Sequence, residues 1–70
     1  MILDRQISTE GHIVHLGVAL TPSGWNVFEK LDSTTVHVEH HEGWHRVERA
    51  LDRLELEVLQ HGIGAFARYH

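Results

Sequence analysis

The sequence predicts a small α+β domain: an antiparallel β-meander of three to four strands packed on one C-terminal α-helix, in β-β-β-α order, with a short extra strand at either end. Three observations carry that expectation. Apolar and polar residues alternate from His12 to Leu20 and again from Trp25 to Leu31, the period of half-buried strands. Turn-forming residues, Thr21-Pro22-Ser23-Gly24 and Asp32-Ser33, separate these stretches. After Gly43 the apolar spacing lengthens to three and four residues, that of an amphipathic helix.

Taken in order, Ile2 to Ser8 reads as a first strand leading through Glu10-Gly11 into the next. From His12 to Leu20 one face carries Val14, Leu16, Val18 and Leu20, and the other Ile13, His15, Gly17 and Ala19. Pro22 and Gly24 occupy the second and fourth positions of a turn, where a type I turn favours them. Trp25 to Leu31 makes the next strand, and Thr34 to His40, rich in β-branched residues, the one after. With the turns centred in this way Val18 faces Val27 and Val27 faces Val38. One sheet face then collects Val14, Leu16, Val18, Leu20, Trp25, Val27, Val36 and Val38.

In the helix, Trp44, Val47, Leu51, Leu54 and Val58 form one stripe with Ala50 at its margin, suited to cover that valine-rich face. Glu48, Asp52 and Glu55 lie on one flank of the stripe and Arg46, Arg49 and Arg53 on another. Gly62 suits a left-handed cap with Ile63 beside it, so the helix is expected to end near Gln60 or His61. Ala65 to Tyr69 reads as a last edge strand.

Seventy residues set one domain, 1–70, as the expectation, since a chain of this size buries only about 60% of its unfolded surface. Without cysteine there is neither a disulfide framework nor a thiolate metal site. The opening MILDRQISTE is charged and lacks a long apolar run, which predicts a cytoplasmic protein with no membrane span. Six basic against ten acidic residues give a formal charge of −4, which argues against general nucleic-acid binding. Protonating all eight histidines would move that charge to +4.

His41-Glu42-Gly43-Trp44-His45 matches H-E-x-x-H, in which two histidines one helical turn apart hold zinc and the glutamate activates water. Shuffling this composition yields the string in about one sequence in twelve. The motif also needs a continuous helix, whereas Gly43 and the preceding strand place a break inside it. Neither the glycine nor the third histidine of the longer metzincin motif follows His45. The expectation is therefore no catalytic activity and no cofactor, the alternative being zinc held at the surface by His41, His45 and Glu48.

Association is the leading functional expectation. The sheet face away from the helix would carry Ile13, His15, Gly17, Ala19, Asn26, Phe28, Thr35 and His37, with Phe28 opposite Gly17 and His37. An aromatic centre with a polar margin resembles a protein contact. Leu56 and Leu59 supply a second apolar surface outside the helix stripe. The surface proposed from sequence is thus Ile13, His15, Ala19, Phe28, His37, Leu56 and Leu59, serving a homodimer or another protein. Arg46, Arg49 and Arg53 suggest weak nucleic-acid contact as a third reading. Helical spacing, however, pairs Glu42 with Arg46, Arg49 with Asp52 and Arg53 with Glu57.

Overall fold

The computed structural model of the chain describes residues 3–9 and 11–61. Alternation and turn chemistry produce four antiparallel strands: β1 (Leu3–Thr9), β2 (His12–Thr21), β3 (Gly24–Leu31) and β4 (Thr34–His41). They lie side by side in chain order, and one helix, α1 (Trp44–His61), follows. The strand foreseen at the N-terminal end is β1, paired with β2 so that Ile7 lies opposite Val14 and Leu3 opposite Val18. Gly62, Ile63 and the strand foreseen at Ala65 to Tyr69 lie outside the described residues. No helix among the described residues is long and apolar enough to cross a membrane.

Helix α1 lies on one face of the sheet. Val14, Leu16 and Val18 of β2 and Val27 of β3 are fully buried against Val47, Ala50, Leu51, Leu54 and Val58 of α1. Leu3, Ile7, Trp25 and Leu31 close the margins of this core. Complete burial of a leucine such as Leu16, Leu51 or Leu54 contributes about 2 kcal/mol each. Trp25 and Trp44 meet edge to face, with ring centroids 5.5 Å apart, and so tie the start of β3 to the start of α1. Glu29 is buried on this same helix-covered side.

The β2–β3 hairpin has the expected register, with Val18 opposite Val27 and Gly17 opposite Phe28. The β3–β4 hairpin does not. Its turn is where the sequence places it, and Asp32 and Ser33 both take positive φ, 49° and 80°, as a tight two-residue hairpin turn requires. Two residues beyond the turn the ladder skips: Lys30 pairs with Thr35 but Glu29 pairs with His37, which leaves Val36 unpaired as a bulge. Every residue of β4 past Val36 is therefore turned over. Val27 faces Glu39, not Val38, and Phe28 faces Val38, not His37.

The correction has a physical reason. The outer part of β4 alternates valine with histidine and glutamate, so neither face of it is apolar enough to pin the register. The shifted ladder places Glu39 within reach of Arg53 on α1 and sets Val38 against Phe28. Both are favourable cross-element pairs. Leu20, also expected under the helix, is exposed at the turn end of β2.

Gly24 fixes how the strands close. It has φ 152°, and a Cβ there would lie 2.4 Å from the carbonyl oxygen of His41. Only glycine allows the end of β4 to come this near the start of β3.

Candidate functional site

Two surfaces collect the chemistry, one on each side of the sheet. The outer surface is built on the pairing of Gly17 with Phe28. Without a side chain on Gly17 the Phe28 ring settles onto β2, and a Cβ at Gly17 would fall 2.3 Å from its Cζ. Lys30 Nζ lies 5.5 Å from the centre of the ring, within cation–π range. On the other side stands Val38, 53% exposed, and Ile13 is 42% exposed on β2.

The Phe28 ring, lying over Gly17, borders two hollows. One, of about 270 Å³, is lined by Asp4, His15, Phe28, Lys30 and Ser33. The other, of about 250 Å³, is lined by Ala19, Asn26, Phe28, Lys30, Thr35 and Val38. The margin is polar and ordered by its own hydrogen bonds. His40 Nδ1 donates to Asn26 Oδ1 at 2.8 Å, and the Ser23 hydroxyl meets His40 Nε2 at 3.2 Å. His15 Nδ1 approaches Asp4 Oδ1 at 3.5 Å.

Of the residues singled out from sequence, Ile13, His15, Ala19 and Phe28 do share this face. His37 does not, because the bulge turns it toward the helix side. Leu56 and Leu59 are exposed on α1, on the opposite side of the molecule from Phe28. Val38, Lys30, Asp4 and His40 are members that sequence reasoning missed. The signal for Val38 was the β4 pattern itself, which fits either register equally well.

On the helix side, the shifted β4 aligns His37, Glu39 and His41. Along an extended strand their spacing, about 6 to 7 Å between alternate residues, is too wide for one small ion, yet a carboxylate has two oxygens to span it. His37 Nε2 donates to Glu39 Oε1 at 3.1 Å, and His41 Nε2 donates to Oε2 at 2.9 Å. Arg53 also bonds Oε1. Partial burial raises the pKa of Glu39, but the hydrogen bonds from His41 and His37 and the charge of Arg53 outweigh it, so the carboxyl stays below its ordinary value.

The H-E-x-x-H string is divided by the fold. His41 ends β4, Glu42 and Gly43 form the bend, and His45 is the second residue of α1. The helix begins on the Gly43 carbonyl, which accepts from the amides of Arg46 and Val47 at 3.1 and 3.3 Å. His41 spends its Nε2 on Glu39. Glu48 belongs to the acidic flank of α1, away from the arginines. Among the described residues no three histidine or acidic side chains are grouped as metal ligands.

The arginines are arranged differently from what spacing alone suggests. Among the described residues neither Arg46 nor Arg49 makes an ion pair, so the pairs with Glu42 and Asp52 do not form, and Arg53 reaches across to Glu39. Together with His41, His45 and Ala50 they line an open groove of about 600 Å³ between the end of β4 and α1. The first turn of α1 carries no acid. Arg46 there faces the positive end of the helix dipole, at a cost of about 0.3–1 kcal/mol. On the acidic flank, Glu55 instead holds Arg5 of β1. The chain matches no known protein family, no curated protein and no solved structure.

Proposed function

We propose that the chain is a small cytoplasmic protein-interaction module, without catalytic activity and needing no cofactor, that pairs with a second copy of itself through the outer face of its sheet. One observation carries this reading: Phe28 stands between two hollows on a sheet face that the helix leaves uncovered. An aromatic centre with a hollow on each side offers the same patch to a copy rotated about a two-fold axis, as a pairing of identical surfaces requires. The apolar centre of Phe28, Val38 and Ala19 within a rim of Asp4, His15, Asn26, Lys30 and His40 has the anatomy of a protein contact.

Magnitude sets what to expect. Four strands spaced about 4.8 Å apart and about eight residues long present a face of roughly 500 Å² per copy. That is below the ~800 Å² per partner of a typical stable complex, so the pairing belongs in the micromolar range. The test is sedimentation equilibrium of the untagged chain and of Phe28→Asp across that range. The wild type should be a dimer at the upper concentrations and the variant a monomer with an unchanged helical circular-dichroism signal. Equal masses for the two proteins would remove the reading.

A further inference from the structure

The groove between the end of β4 and α1 has no role in the sheet-face contact, and its chemistry points to a ligand of its own. We infer that it binds a compact oxyanion of the phosphate class, a phosphate or diphosphate group, through Arg46, Arg49 and His45. Among the described residues its lining is His41, His45, Arg46, Arg49, Ala50 and Arg53, and the carboxylate beside it, that of Glu39, is held by His41 and Arg53. This is not a reflection of a basic chain, for the formal charge is −4 and three of only six basic residues converge on this one groove.

The helix sorts its charges to make this possible. Arg46, Arg49 and Arg53 follow one another along the β4 side, whereas Glu48, Asp52 and Glu55 occupy the other flank. Arg53 is partly neutralised by Glu39, which anchors it to β4 and leaves Arg46 and Arg49 as guanidinium forks with no ion pair among the described residues. A guanidinium fork matches two oxygens of a phosphate at once, which a lysine ammonium does not. His45 adds a third donor from the same turn as Arg46 and Arg49.

Size and field narrow the class. The rise of about 1.5 Å per residue spreads Arg46 to Arg53 over about 10 Å, enough for one or two phosphate groups. The groove volume is that of a small-molecule site. The net negative charge of the remaining surface would repel a long polyanion beyond those few contacts. A compact ligand, free or carried on a small molecule, is therefore favoured over a nucleic-acid strand.

The experiment is a low-salt titration of the full chain followed by ¹H–¹⁵N NMR, with inorganic phosphate, pyrophosphate, a nucleoside diphosphate and a single-stranded oligonucleotide of about twelve residues as separate probes. Pyrophosphate should give saturating shifts confined to the amides from His41 to Arg53. The Arg46→Gln/Arg49→Gln variant, altered only at exposed positions, should keep the wild-type spectrum elsewhere and bind at least about tenfold more weakly. Tighter binding of the nucleoside diphosphate than of pyrophosphate would identify a carried phosphate, and equal binding a free one. Shifts that stay linear to about 10 mM, or that the double variant leaves unchanged, would overturn the inference. So would an oligonucleotide that binds more tightly than every small probe and weakens steeply with salt.

Discussion

The β2–β3 and β3–β4 hairpins share β3, yet they differ in what holds them in register. Between β2 and β3, Val14, Leu16 and Val18 on one strand and Val27 on the other are all buried under α1. A slip of one residue there would put three buried apolar side chains into solvent, about 2 kcal/mol each. Between β3 and β4 no such penalty exists, because the outer part of β4 presents Val38 and His40 on one side and His37, Glu39 and His41 on the other. Its register is decided instead by specific partners: Arg53 for Glu39, and Phe28 for Val38. A core pattern pins a strand by quantity, whereas a polar strand is pinned by a few contacts and is free to carry function on both faces.

That difference predicts unequal responses to the same substitution. Val18→Ala removes a fully buried side chain and should cost about 2 kcal/mol in urea unfolding. Val38→Ala alters an exposed one and should stay within about 0.5 kcal/mol, although a ladder without the bulge would bury both. Comparable losses at the two positions would argue for the unbulged register.

Glu39 is the next lever on β4. Glu39→Gln should cost about 1 kcal/mol at neutral pH, since it removes the charge that Arg53, His37 and His41 share. The folded-state pKa of this carboxyl lies below its ordinary 4.5. Its contribution is therefore complete above the unfolded-state value and is lost as pH falls through the folded-state one. Wild type and variant should differ most above the unfolded-state value and converge as pH falls through the lowered folded-state one. A constant gap across that range would show that the carboxylate is not held by these partners.

A gain in stability is expected at the turn between the two strands. Ser33 has φ 80°, a conformation in which a residue with a Cβ is strained. Ser33→Gly should raise stability by about 0.5–1 kcal/mol without changing the register. Asp32 should be left alone, because its carboxylate accepts from His12 at 2.8 Å and from the Ile13 amide at 3.0 Å. Those bonds hold its pKa below the ordinary carboxylate value and brace the turn against β2.

The same contrast explains what could be read from residue order. The strands β2 and β3, the turns on either side of β3 and the helix stripe from Val47 to Val58 follow from local period and turn chemistry, and the structure has them where those signals put them, whereas Trp44, expected in that stripe, stands exposed at the start of α1. The Phe28–Gly17 contact followed from the β2–β3 register. The bulge at Val36 was not legible, because its cause lies in Arg53, seventeen residues further along the chain. The arginine groove was only half legible. Helical spacing supplied the row, but nearest-neighbour pairing hid that, among the described residues, Arg46 and Arg49 make no ion pair.

Phe28 and Val38 stand together on the sheet face that α1 leaves uncovered, and self-association through that face is the central claim. The direct measurement is sedimentation equilibrium of wild type and Phe28→Asp at concentrations from about 10 to 500 μM. A wild-type mass that doubles across this range, with a variant that remains a monomer of equal helix content, is the predicted result. A wild type that stays monomeric throughout, or a variant that dimerises equally well, would contradict it.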